Sequence, residues 1–286
     1  MKALITGASG QDGYYLTRFL ASKGYDIFSF EKDIRNKYYI GDAIEFFKPD
    51  EIYHLAAMVR GTVENPSEAF WVNSLGTVNL LEAVKNSNRS IRVCHASSSE
   101  IFALVNVEGQ DESTPIMPRN PYGMTKAAAH LAAVTYRDNY NMRVSCGIMF
   151  NHESPLRTRE YVSRRIVDGV HDALAGKKLV LGNLDVRRDW GHAEDYVRAL
   201  WMINQGDSGD YVIATGEAHS VGDFVEAAFL RAGLDWREHV KIDEAYSRHN
   251  DVPLLCGDPS KLETIGWERH YDFDALVDDL LVRNAA

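Results

Sequence analysis

Apolar positions along the chain fall into two alternating textures. Short apolar runs at Lys2–Thr6, Asp26–Phe30, Glu51–Leu55, Ile91–His95 and Arg143–Met149 read as buried strands. Between them lie amphipathic stretches that read as helices: Gln11–Lys23, Ser67–Lys85 and Tyr122–Tyr140. In the first of these, Leu16, Phe19 and Leu20 share one face, and Gly24 supplies the stop. Strands alternating with helices specify an α/β fold, a doubly wound parallel sheet. One interval breaks the rhythm. Only seven residues separate Phe30 from Tyr38, where a short strand Tyr38–Ile40 is read. A parallel crossover with its helix needs about 10–12 residues, so this crossover is expected to lack its helix.

Beyond Asn151 the elements shorten. Helices are expected near Arg159–Ala175, Ala193–Asn204, Val221–Ala232 and Phe273–Val282, with a strand at Lys178–Leu181. The pattern predicts a first domain over residues 1–150, to which later segments return, and a smaller lobe over 151–286. The cleft between them is the expected ligand site.

Composition narrows the class. A chain of 286 residues with 45% hydrophobic and 25% charged residues can bury a full core. Its net charge of −10 argues against nucleic acid or an anionic membrane as partner. Cys94, Cys146 and Cys256 are far apart and have no metal-ligand spacing, so no metal and reduced thiols are expected. No apolar run approaches the ~20 residues that span a bilayer. Thr6 and Gly7 arrive too early for a secretory signal, so a cytoplasmic location is expected.

Gly7, Gly10 and Gly13 punctuate a G-A-S-G-Q-D-G turn between the first strand and the first helix. Glycines there permit a tight turn and bring backbone N–H groups and a helix N-terminus to a pyrophosphate. A plain strand-to-helix turn would use some of the same residues; the N-terminal strand–turn–helix setting favours a dinucleotide. At the end of the second strand Glu31 suits a ribose 2′-hydroxyl, as in NAD, whereas Lys32 and Arg35 suit a 2′-phosphate, as in NADP. Both readings stay open on the residues alone.

Tyr122 and Lys126 form Y-G-M-T-K at a helix start, one turn apart and on one face. An ammonium beside a phenol is expected to depress the phenol's pKa, so that it takes a hydroxyl proton during hydride transfer. Such a pair is common on surface helices. Here it follows a strand ending in Ser97-Ser98-Ser99-Glu100 and shares the chain with the glycine turn, which together point to a short-chain dehydrogenase of Rossmann type. Glu100 adds a second acid/base beyond what a simple alcohol oxidation needs; a solvated loop carboxylate is the plainer reading.

Four segments carry a more specific resemblance: L-I-T-G-A-S-G-Q-D-G at the start, F-N-H-E-S-P at Phe150–Pro155, L-G-N-L-D-V-R-R-D-W-G-H-A-E-D-Y at Leu181–Tyr196, and V-I-A-T-G-E-A-H-S-V at Val212–Val221. Together they resemble the GDP-mannose 4,6-dehydratase family nearly end to end. The resemblance implies catalytic roles for Ser98 (in place of the family's threonine), Glu100, Tyr122 and Lys126. It implies cofactor contacts at Gly7, Gly10, Gln11, Asp12, Gly13, Asp42, the Leu55-Ala56-Ala57 stretch with Val59, His152 and Arg157. It implies GDP-sugar contacts at Asn151, Val162, Arg165, Leu181, Gly182, Asn183, Arg188 and Arg248. The implied cofactor is NADP, regenerated each turnover, with NAD the alternative because of Glu31. The implied partner is GDP-mannose or a related GDP-sugar, and the implied assembly is a homo-oligomer. The shortened second crossover removes much of the family's subunit-contact segment and favours a dimer over a tetramer. A GDP-4-keto-sugar reductase, a C4 epimerase and a non-catalytic dinucleotide sensor are the competing readings.

Overall fold

The computed structural model describes residues 1–87, 90–102, 109–246 and 252–282. The first half contains β1 (Lys2–Thr6), α1 (Gln11–Ser22), β2 (Asp26–Phe30), α2 (Lys37–Phe47) and β3 (Glu51–His54). A long helix in three parts follows: α3 (Pro66–Phe70), a π-helical turn at Trp71–Leu75, and α4 (Gly76–Asn86). Then come β4 (Arg92–Ser98), α5 (Pro121–Tyr140) and β5 (Val144–Met149). The second half contains β6 (Asn151–Glu153), α6 (Val162–Leu174), β7 (Leu179–Leu181), β8 (Arg187–His192), α7 (Ala193–Gln205) and β9 (Asp210–Ile213). It ends with β10 (Ala218–Ser220), α8 (Val221–Arg231), α9 (Trp236–His239), β11 (Val240–Ile242), β12 (Leu254–Leu255), α10 (Ser260–Glu263) and α11 (Phe273–Leu281).

The central sheet is parallel, six-stranded, and ordered β2-β1-β3-β4-β5-β9. Alternate side chains of each strand supply two cores. On one face Ala3, Ile5, Tyr53 and Cys94 meet Leu16 and Leu20 of α1 and Val197, Leu200 and Ile203 of α7. On the other, Leu4, Ile52, Val93 and Val144 meet Ile40 and Ile44 of α2, Leu80 and Val84 of α4, and Ala133 of α5. A separate core joins α6, α8 and α11 over Trp190. The expected doubly wound sheet is present, and α7 and β9 complete it from beyond residue 151.

The second crossover differs from the expectation. Its helix is present as α2, and Tyr38–Ile40 is that helix's first turn rather than a strand. Asn36 caps it by accepting from the Tyr38 N–H, and Ile40, Ala43, Ile44 and Phe47 are buried at helical spacing. A three-residue apolar run has no readable period, whereas burying these four side chains is worth about 1.5–3 kcal/mol for each of the larger ones. The chain therefore runs from β2 through α2 directly to β3. Among the described residues no strand flanks β2 on its outer side, so β2 is the sheet edge. Asp42 consequently sits exposed in the middle of α2.

Candidate active site

The glycine turn is shaped by close approach. Gly7 has φ +74°, and a Cβ there would fall 2.8 Å from the Ala56 nitrogen; a Cβ on Gly13 would fall 2.4 Å from the Gly7 carbonyl oxygen. The end of β1 thus lies against Leu55-Ala56, just past β3. Gly10 is the N-cap of α1 and has no side-chain cap, so the first-turn N–H groups are left to a ligand. A Cβ on Gly10 would meet only the Gly7 oxygen, at 3.4 Å, which leaves a cradle open above the turn. The donor set and the cradle fit a dinucleotide pyrophosphate. Leu55, Ala56 and Ala57 are half-buried along this edge, and Val59 is exposed. The Met58 backbone is held by Asn73, a residue the sequence reading missed. Its Oδ1 accepts from the Met58 N–H at 2.6 Å, and its Nδ2 donates to the Met58 carbonyl and Thr125 Oγ1, each at 2.9 Å. Asn73 sits buried in the π-helical turn, and nothing in its local sequence marks it.

Glu31 and Lys32 are exposed just past β2. Arg35, the cation that would greet a 2′-phosphate, is engaged elsewhere. Its Nε donates to Asp33 Oδ2 at 2.9 Å, its Nη2 lies 2.7 Å from the same oxygen, and its Nη1 donates to Glu68 Oε1 at 3.3 Å.

Ser98, Glu100, Tyr122 and Lys126 converge where β4 ends and α5 begins. Ser98 closes β4 and caps a 3₁₀ turn at Ser99–Ile101 that carries Glu100, its Oγ accepting from the Glu100 N–H at 3.3 Å. Gly123 lets α5 approach this turn; a Cβ there would lie 2.3 Å from the Glu100 carbonyl oxygen. The Ser98 hydroxyl lies near the Tyr122 phenol. Burial pushes the Tyr122 pKa up, the nearby Ser98 hydroxyl opposes this, and the Glu100 charge adds to the rise. This corrects the expectation that Lys126 depresses it. The lysine is turned to the sheet, its Nζ donating to the Ala96 carbonyl at 2.5 Å, and burial lowers its own pKa to about 8. The surroundings give the ammonium little help. His54 and His95, register partners on β3 and β4, are held well below the usual histidine range by burial and by Lys126 itself. Among the described residues neither His95 ring nitrogen has a hydrogen-bond partner.

The family-implied cofactor residues Asp12, His152 and Arg157 form one half-buried network. His152 Nε2 lies 3.0 Å from Asp12 Oδ1 and Nδ1 lies 2.7 Å from the Phe150 carbonyl oxygen. Arg157 donates to the His152 carbonyl and to Glu153 Oε2, at 2.7 and 2.9 Å. Burial alone would raise Asp12, but the charge and hydrogen bond of His152, with Arg157 behind, bring it to about 2. Gln11 joins this network by donating to the His152 carbonyl at 3.2 Å. Asp12 also acts electrostatically on both Tyr122 and Lys126, so the first turn of α1 faces the catalytic group.

The residues that the resemblance implies for a GDP-sugar fall on or beside β6, α6, β7 and β8. Asn151 and His152 are on β6, in register with Trp190 and Gly191 of β8; Val162 opens α6, and Leu181-Gly182-Asn183 follow β7. Arg165 donates to the Val180 carbonyl at 2.6 Å, and Arg188 to those of Arg187 and Val252 at 2.8 and 2.6 Å. Arg248 lies outside the described residues. Asp189, next to Arg188, is fully buried and accepts from the backbone N–H groups of Thr215, Gly216 and Gly257 and from the Thr215 hydroxyl. It ties two loops to β8 behind the site.

The sequence profile described as "GDP-mannose 4,6 dehydratase" matches residues 26–280. GDP-mannose 4,6 dehydratase 1 of Arabidopsis thaliana is 39% identical over 96% of this chain and 87% of its own length. Among solved structures, UDP-glucose 4-epimerase of Thermus thermophilus, complexed with NAD, superposes with a TM-score of 0.87 over 100% of both chains at 24% identity. RMD from Pseudomonas aeruginosa, complexed with NADPH, gives 0.87 at 22% identity over 98% of this chain and 96% of its own. These two likenesses speak to the fold.

Proposed function

The chain belongs to the GDP-mannose 4,6-dehydratase family, and on that premise we propose that it converts GDP-mannose to GDP-4-keto-6-deoxymannose with a nicotinamide dinucleotide regenerated in each turnover. A nicotinamide dinucleotide held by the Gly7–Gly13 turn would supply reversible hydride acceptance beside the sugar. Tyr122 takes the C4 hydroxyl proton as a phenolate, the positive charge of an oxidised nicotinamide bound beside it offsetting the rise that burial and Glu100 impose. Ser98 polarises the C4 oxygen as it becomes a carbonyl. The carbonyl acidifies C5–H. Glu100 takes the C5 proton and passes it to the C6 hydroxyl, which departs as water and leaves a C5–C6 double bond. After hydride reaches C6, a proton returns to C5, and the sum is loss of one water. Lys126 anchors the nicotinamide ribose. Asn151, Val162, Arg165, the Leu181–Asn183 turn, Arg188 and Arg248 hold the GDP-sugar, the arginines facing its diphosphate.

The observation that carries this reading is a carboxylate, Glu100, held at the same strand end as the Tyr122–Ser98 pair. A keto-sugar reductase, a C4 epimerase or a dinucleotide sensor has no use for a base there. Incubating the purified protein with GDP-mannose and dinucleotide, then weighing the nucleotide sugars by mass spectrometry, tests it. A product lighter by one water supports the reading; an isomer of unchanged mass would favour an epimerase.

The family resemblance favours NADP. The engagement of Arg35 by Asp33 and Glu68, with Glu31 exposed at the strand end, favours NAD. On that second reading, quenching of protein fluorescence will show NAD binding at least about tenfold more tightly than NADP, a difference of about 1.4 kcal/mol. Equal or tighter binding of NADP would restore the family assignment.

Two copies of the chain are proposed to pair through the face formed by α3, the π-helical turn and α5. Phe70, Trp71, Leu75, Met124 and Leu131 are exposed there, and this apolar face is too continuous for a bare surface. Light scattering will find a two-chain mass for the unaltered protein and a one-chain mass for Trp71→Glu combined with Leu131→Glu. A four-chain mass would overturn the dimer. The reaction is assigned to the cytoplasm. Cys94 and Cys146 are buried free thiols, which suits a reducing compartment; no described helix is long and apolar enough to cross a membrane.

A further inference from the structure

We propose that Asn120 is the positioning residue that holds Glu100 for the elimination step and ties its placement to the helix carrying Tyr122 and Lys126. The proposal rests on the reading of Glu100 as the C5 acid/base.

Both ends of the Asn120 amide are in use. Its Oδ1 accepts from the Gly123 N–H at 2.7 Å and caps α5; its Nδ2 donates to Glu100 Oε2 at 2.7 Å. One side chain therefore fixes the first turn of α5 and one oxygen of the carboxylate at the same time. The other carboxylate oxygen, Oε1, makes no hydrogen bond among the described residues, which leaves it free to face a substrate carbon. Backbone geometry reinforces the coupling. The Glu100 carbonyl lies so close to Gly123 that a Cβ would overlap it, so the 3₁₀ turn and the helix start cannot shift independently.

Only asparagine performs both tasks in this setting. Serine caps a helix equally well but is too short to reach the carboxylate. Aspartate also caps, but it has no donor and turns a second negative charge on Glu100. The capping role and the Glu100 role can thus be separated by substitution. Elimination requires the carboxylate at C5 and C6, whereas hydride transfer at C4 requires Tyr122, Ser98 and Lys126. Loosening Glu100 alone slows the second stage and leaves the first intact.

The test compares Asn120→Ser, Asn120→Asp and Glu100→Gln with the unaltered enzyme, using GDP-mannose as substrate and absorbance of the reduced nicotinamide as the stage-specific signal. Thermal melting and cofactor titration establish that each variant is folded and loaded; Asn120→Asp keeps a cap oxygen in nearly the asparagine position should Asn120→Ser melt early. In both Asn120 variants kcat will fall by about 10- to 100-fold, the fold-change equivalent of one charge-assisted hydrogen bond. KM will be unchanged and reduced nicotinamide will accumulate. A fall in kcat without that accumulation would mean that Asn120 only supports the helix, and the proposal fails. Full turnover by the Asn120 variants, with Glu100→Gln inactive, also overturns it while leaving the role of Glu100 standing. Full turnover by Glu100→Gln removes the reading on which the proposal rests.

Discussion

Glu100→Gln will bind its dinucleotide as tightly as the unaltered chain but lose dehydration by at least about 10²-fold, the lower range for one general acid/base group. The substitution keeps side-chain volume and can keep a hydrogen bond to Asn120 Nδ2 through its carbonyl oxygen, so the fold and the α5 cap are preserved. What disappears is the group that accepts a proton at C5 and delivers one at C6. Because Tyr122, Ser98 and Lys126 remain, one hydride transfer still occurs on mixing with GDP-mannose, and the nicotinamide stays reduced. Mass spectrometry of nucleotide sugars and absorbance of the reduced cofactor read the two effects separately. Dehydration at the unaltered rate would assign Glu100 to the solvated strand end instead of the chemistry.

Lys126→Met has the second largest expected effect, and it acts in opposite directions on activity and stability. Turnover will fall by about 10²-fold or more, because the variant has no cation to hold the nicotinamide ribose. The fold will become more stable. Lys126 is buried, it is held at the Ala96 carbonyl, and burial takes its pKa from 10.5 to about 8. A folded-state pKa below the unfolded value means that the folded chain binds fewer protons between those limits. The cost of the buried ammonium is therefore fully present below pH 8 and is relieved as pH rises from 8 toward 10.5, and it amounts to about 3 kcal/mol. Methionine removes that cost and forfeits one hydrogen bond. The net gain is about 1–2 kcal/mol, or an increase in Tm of about 2–8 °C at neutral pH. The advantage will shrink above about pH 9. A lower Tm at neutral pH would show that the ammonium stabilises its pocket.

Much of the architecture was legible because it depends on local spacing. The strand–turn–helix around Gly7, Gly10 and Gly13, and the Tyr122–Lys126 turn of α5, follow from residues within one or two turns of each other. The convergence of Ser98 and Glu100 with that turn followed from the rule that parallel strands present one edge to ligands. The miss at Tyr38–Ile40 came from a run too short to show its period. Other features depend on contacts distant in the chain. Nothing local announces that Asn73 clasps Met58, that Asn120 reaches Glu100, or that Arg35 is claimed by Glu68. The same holds for Lys126, whose spacing placed it beside Tyr122 while the structure turns it to Ala96.

The most direct measurement is the fate of one hydrogen. GDP-mannose labelled with deuterium at C4, incubated with the purified enzyme and a trace of dinucleotide, will yield a dehydrated product that carries the label at C6 and none at C4. Label remaining on C4, or transferred to the free cofactor pool in stoichiometric amount, would contradict internal hydride return and the paired roles of Tyr122 and Glu100.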